Sequence, residues 1–237
     1  MPLPGLRSAN LYAQAPEVAA ITWTFVGAAS QNDALVTVPA STAAGDLIIM
    51  CSITLYGEDM EYDPNDGTLP NIPTIGQDIA NWADGSSYTA INVYHKIAES
   101  GDGSKTWGDS TTPTAAYFAV AVFRPSSAIS TVTANTDTGT LMWSQSSTAG
   151  NPAEVTPDYN SGAAGIMIGI SFYNNTATGL TMTPTAETSF AEFTDAGYPS
   201  CQLRCASIDA GYGGTPAVDT GDGGTSNYSA GVVIEVE

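Results

Sequence analysis

Basic side chains are scarce: five Lys and Arg stand against 24 Asp and Glu in 237 residues, for a formal net charge of −19. Arg7, Lys96, Lys105, Arg124 and Arg204 are scattered singly, whereas a nucleic-acid backbone or an anionic lipid surface is met by clustered cations. Both classes of partner are excluded on that ground. Histidine occurs once, at His95, and nothing beside it in sequence supplies the second ligand or the nucleophile that metal or acid–base work requires. No apolar run reaches the ~20 residues that cross a bilayer as a helix. The first residues, MPLPGLRSANLYAQAPEV, lack a charged leader followed by an apolar stretch, so no secretory signal is expected. Cys51, Cys201 and Cys205 are an odd set, which argues against a disulfide-stapled secreted scaffold and for buried thiols. On a strand, Cys201 and Cys205 share a face about 13 Å apart, too far to bond.

What the chain has is alternation. Charged residues are only 12% of it while hydrophobic ones are 43%, so its polar surface comes from Ser, Thr, Asn and Gly, a composition that suits strands and turns. DLIIMCSITLY (46–56) puts Leu47, Ile49, Cys51, Ile53 and Leu55 on one face and Ser52, Thr54 and Tyr56 on the other. AAYFAVAVFR (115–124) and AAGIMIGISFY (163–173) are apolar on both faces and read as central strands. Further strands are expected at 22–28, 34–38, 88–98, 128–134, 200–208 and 229–237. IGQDIANWADG (75–85) is the best helix candidate, from the spacing of Ile75, Ile79 and Trp82, and reads equally as a loop. No repeat of fixed period appears. The pattern predicts an all-β fold, an antiparallel β-sandwich of jelly-roll type, as one domain over 21–237. Residues 1–20, with Pro2, Pro4 and Pro16 and no periodicity, read as an extended arm. Its Pro2, Leu3, Pro4, Leu6, Leu11 and Tyr12 are the residues expected to bind a partner.

HKIAESGDGSKTW (95–107) holds the lone histidine and both lysines. In an extended 88–98, His95 shares a face with Ile91, Val93 and Ile97, and Lys96 shares the opposite one with Asn92 and Tyr94. They point apart, and ESGDGSK reads as a turn between strands.

The succession TWTFVGAASQNDALVTVPASTAAGDLIIMCSI, YTAINVYHKIAESGDGSKTW, AAYFAVAVFRP and SAGVVIEVE resembles a group of tailed-bacteriophage virion proteins. In that group a VPA element leading into AGDL, a YKIA-type strand with its turn and a closing V-x-I-E strand recur. The resemblance covers about two thirds of the chain and lies in strands and turns. It implies a β-sandwich structural protein of the particle, assembled in the host cytoplasm: a capsid decoration protein on the major capsid protein, or a tail or fibre component. The partners it implies are other virion proteins and further copies of the chain in a symmetric array. No catalytic residue belongs to the pattern, so no enzyme and no cofactor is expected. The acidic segment 57–71 and the segment 209–228 depart from it.

Two further sets of side chains are candidates. YGEDMEYDPNDGTLP (56–70) gathers Glu58, Asp59, Glu61, Asp63 and Asp66, and Asp63, Asn65 and Asp66 offer close-spaced oxygens for calcium. Their spacing is not that of an EF-hand, and a solvated acidic loop is the simpler reading, since charge runs usually face water. Trp82, Trp107, Trp143 and Tyr212 fall in or beside expected loops, where they would stack on a glycan if exposed or anchor the loops if buried. The first placement suits a tail or fibre adhesion module. The Gly-rich stretches 101–108 and 211–227 lack the spacing of phosphate-binding loops.

Overall fold

The computed structural model of the protein describes residues 20–32, 35–55, 78–79, 89–108, 116–134, 142–146, 154–173, 180–184, 188–193, 200–219 and 227–237. Their first strands are β1 (Trp23–Asn32), β2 (Val36–Thr37), β3 (Leu47–Leu55), β4 (Asp78–Ile79), β5 (Thr89–Ile97), β6 (Thr106–Trp107) and β7 (Ala116–Pro125). There follow β8 (Val132–Ala134), β9 (Met142–Ser146), β10 (Glu154–Val155), β11 (Ala164–Tyr173) and β12 (Thr181–Thr183). The last are β13 (Thr188–Phe193), β14 (Ser200–Ile208), β15 (Ala217–Asp219) and β16 (Asn227–Val236).

The runs legible in the sequence become the long strands, and all pair antiparallel. β1-β7-β3-β5-β4 form one sheet in that order, and β13-β14-β11-β16-β8 form a second, with β9 also on β16. Two small ribbons accompany them, β2-β6 and β10-β15-β12. No helix occurs among the described residues. Of the two readings left open for 75–85, helix or loop, neither describes Asp78–Ile79, which pair with Ala90 and Thr89 of β5. Ladder hydrogen bonds at the sheet edge override a weak helical spacing there. The rest of that segment lies outside the described residues, as do 1–19 of the expected arm and the acidic segment 57–71.

Strand alternation then dictates where side chains go. Leu47, Ile49 and Cys51 of β3 and Ala121 and Phe123 of β7 pack with Ile166 and Ile168 of β11 and with Val232 and Ile234 of β16 in one core shared by the two large sheets. Ile48, Met50, Val120 and Val122 alternate with them and are buried on the outer face, beneath Val36, Val38 and Trp107 of the first ribbon and its flank. On the second sheet Met167, Ala206 and Val233 are likewise buried, beneath Leu180, Met182 and Val218 of the other ribbon. Each large sheet is therefore buried on both faces. That is why its central strands are apolar throughout, and why Met50 is buried on a face of β3 read from sequence as softened by polar residues. Cys51 and Cys205 are buried in the shared core.

Fully burying one aliphatic side chain contributes about 2 kcal/mol, and the three cores bury many of them, so the cores supply most of the cohesion between layers.

Glycines set how closely the layers approach. A Cβ on Gly231 would sit 2.8 Å from Cγ of Pro157 and 3.0 Å from Val218, and one on Gly169 would sit 3.1 Å from Val218 and Met182. Gly165 is tighter still: its Cβ would lie 2.5 Å from the Ile234 carbonyl oxygen, a backbone atom that has no rotamer to escape into. Gly165→Ala is expected to lower stability by about 3 kcal/mol, the upper range of overpacking. Gly213→Ala, where a Cβ meets open space, is expected to be near neutral. Paired urea melts of the two variants check this.

Candidate functional site

Four turns close one end of the two large sheets. Each is a four-residue turn with glycine third, where a positive φ is needed that other residues resist. The turn into β3 is Ala43–Asp46, with Asp46 N–H donating to Ala43 O at 3.1 Å and Gly45 at φ 91°. The turn out of β5 is Glu99–Asp102, with Asp102 N–H on Glu99 O at 3.2 Å and Gly101 at φ 91°. The turn into β11 is Asn160–Ala163 (2.9 Å, Gly162 at φ 95°), and that out of β14 is Asp209–Tyr212 (3.1 Å, Gly211 at φ 89°). Register puts them together, because Leu47 lies opposite Ile97 and Phe123, and Gly165 lies opposite Ile208 and Glu235. Trp23 Nε1 donates to Ile208 O at 3.1 Å, and Ala210 N–H to Ile21 O at 3.0 Å, so the ends of both sheets are tied side by side.

Buried carboxylates pin three of the four turns. Asp102 is fully buried and its Oδ2 accepts the Glu99 N–H at 2.8 Å, while Lys105 Nζ donates to Oδ1 at 2.7 Å. Lys96 Nζ approaches Oδ2 at 2.8 Å and Glu99 Oε2 at 3.5 Å, the former an ion pair off the hydrogen-bonding direction. Burial works against ionising Asp102, yet the Glu99 N–H, Lys105 and Lys96 together outweigh it and hold the carboxyl down at about 2.

Asp46 is nearly as buried. It takes Arg124 Nε on Oδ1 and Nη2 on Oδ2, both at 2.8 Å, and the Ala43 N–H on Oδ2 at 2.8 Å. This is the planar two-pronged pairing for which a guanidinium is suited. In the second sheet Glu235 fills the same place: it accepts Asn160 N–H and Nδ2–H, each at 2.6 Å. Tyr159 Oη donates to Ala163 O at 2.8 Å and accepts Gly162 N–H at 3.2 Å. Burial raises the pKa of that phenol, with Glu235 adding to it against the pull of the Gly162 N–H.

His95 and Lys96 do point apart. His95 is half-buried, opposite Ile49 in register, and burial lowers its pKa, which keeps the ring neutral. Lys96 lies on the other face with Tyr94, and the stretch is a turn whose two lysines close on Asp102.

The glycan reading fails at Trp107. That ring is fully buried, 5.7 Å from Tyr94 and 5.5 Å from Phe118 in edge-on contacts, with no face left for a sugar. Tyr212 is half-buried with its ring 6.0 Å from Tyr159. Trp143 lies in β9 opposite Ala230. Trp82, the calcium candidates Asp63, Asn65 and Asp66, and the partner-binding Pro2, Leu3, Pro4, Leu6, Leu11 and Tyr12 lie outside the described residues. Among the described residues no three His, Cys, Asp or Glu side chains gather as a metal would need.

Sequence reading missed the Asp46–Arg124 and Glu235–Asn160 pairs, which join residues far apart in the chain. The local signal was there in AAGD and ESGD, where Gly third and Asp fourth spell a turn with a carboxylate at its exit. Comparison with protein-family models, with curated proteins and with solved structures finds no match to this chain.

Asp102 lies below its unfolded value of 3.8, so its contribution, about 2 kcal/mol for a shift of that size, is present above pH ~4 and lost as pH falls through about 2. Asp102→Asn is expected to flatten the acid limb of stability against pH. At neutral pH it should cost about 3 kcal/mol, because Lys96 stays buried without its counter-charge, and Lys96→Met in the same chain should recover part of that. Urea midpoints from pH 2 to 7 for the three proteins check both.

Proposed function

We propose that this chain is a structural protein of a bacteriophage particle, a capsid decoration protein that attaches by shape and buried area rather than by chemistry. The observation that carries the reading is a coincidence of position. The elements that resemble the phage virion group, VPASTAAGDL and YHKIAESGDGSKTW, are the same residues that build the pinned turns at the end of the first sheet. Their buried Asp46 and Asp102 are satisfied by the chain's own Ala43, Arg124, Glu99, Lys105 and Lys96, an arrangement that stiffens a surface and turns over nothing. The core shared by the two large sheets supports a β-sandwich as the body, while the strand order, with each large sheet drawn from one contiguous half of the chain, departs from the interleaved order of the expected jelly roll. Residues 1–20 serve as an arm onto a neighbouring subunit, where proline reduces the entropy lost on ordering. β1 starts at the turn-bearing end. The partner is the major capsid protein or another virion protein, met by many copies in a symmetric array. No cofactor is required.

Cryo-electron microscopy of virions from the source of the chain is expected to show its density spread regularly over the head. Density at the tail alone, or none, overturns the decoration reading. Removing residues 1–20 is expected to leave the melting temperature of the body unchanged and to lower particle occupancy at least tenfold. Undiminished occupancy by the truncated chain contradicts the role given to the arm.

A further inference from the structure

We infer that the chain is an internal duplication: residues 20–127 and 128–237 are two copies of one β-unit, packed face to face about an approximate twofold axis parallel to the strands. The strand orders carry it. Read from one edge, the first sheet is β1-β7-β3-β5-β4 and the second, from its opposite edge, is β8/β9-β16-β11-β14-β13. In both, the first strand of the unit pairs with the last, the last with the first long central strand, that strand with the next long one, and that one with the short strand preceding it in sequence.

The ribbons correspond too. β2 and β6 precede β3 and β7 and pair over the outer face, just as β10 and β15 precede β11 and β16 and pair over theirs.

The turns agree in length and in the place of their glycine. Gly45 matches Gly162 and Gly101 matches Gly211, with φ values of 91°, 95°, 91° and 89°. Two residues past the first glycine of each pair, Leu47 and Ala164 both enter the shared core. The first residue of the turn into the central strand gives its N–H to a buried carboxylate in both units, Ala43 to Asp46 and Asn160 to Glu235. The carboxylate itself closes the turn in the first unit and sits on β16 in the second. Function was kept while the residue changed, and that is why the repeat is invisible as a sequence period.

Contacts fix the axis. β1 packs against β13, at the non-equivalent edge of the other sheet, and β7 against the same strand, while Trp23 and Ile208 join ends that correspond in direction. A twofold across the strands would place β1 over β8 and bring opposite ends together. A twofold along them gives what is found.

Such an axis makes a sharp prediction, because it equates two connections. With Leu47 matched to Ala164, register makes Phe123 the mate of Val236 and Phe25 the mate of Val132, so the path from Phe123 to Ser130, spanned by residues 124–129, is the symmetry mate of the path from Val236 to Trp23. A circular permutant opened between Ser127 and Ala128, without residues 1–19, is therefore closed from Val236 to Trp23 by a link of that same length. A second permutant carries a link three times longer, and residues 20–237 in native order are the reference. The short-link permutant is expected to be monomeric, with a melting temperature within a few degrees of the reference. If only the long link gives a folded monomer, the two paths are unequal and the twofold is wrong. If neither folds, the path from Val236 to Trp23 does not mirror the native link and the twofold is wrong.

Discussion

Double burial of the two large sheets is the constraint from which the rest follows. A sheet with one wet face tolerates polar residues at every second position, whereas here Ile48 and Leu47, or Val122 and Phe123, are buried on opposite faces of the same strand. The chain must therefore supply something to cover each outer face. It does so with short ribbons that carry few side chains but large ones, Trp107 on one side and Met182 and Val218 on the other. Close approach of those ribbons requires missing Cβ atoms beneath them, which accounts for Gly169 and Gly231 in the middle of strands where glycine is otherwise unfavourable.

Layering also explains the economy of charge. With apolar cores providing the cohesion, cations are free for another purpose, and Lys96, Lys105 and Arg124 go to buried carboxylates at one end. A buried carboxylate is costly alone, so Asp102 is tolerable only because a backbone N–H and two ammonium groups converge on it. The return is geometric: turns held in one conformation at the end where β1 starts.

Much of the fold was legible because strand alternation is a local property. The boundaries expected for 46–56, 88–98, 115–124, 163–173 and 200–208 fall within a residue or so of the observed strands, since each run is long and bounded by turn formers. β2, β6, β10, β12 and β15 are two or three residues long, and apart from the first, which falls within the run expected at 34–38, periodicity has nothing to act on there. The site was less legible. Pairing of Asp46 with Arg124, or of Asn160 with Glu235, depends on which strands become neighbours, and antiparallel order is not written in any single strand. Trp107 shows the same limit from the other side: large aromatics are usually buried, and it is buried, yet sequence does not name the ribbon it belongs to or the rings it meets.

The central claim is that one core couples both sheets, so that neither half opens without the other. Native-state hydrogen exchange over a series of low denaturant concentrations measures this directly. The amides of β3 and β7 and those of β11 and β16 are expected to converge on one opening free energy with one denaturant dependence. Two separate limits, one for each sheet, would contradict the shared core and leave two units that merely touch.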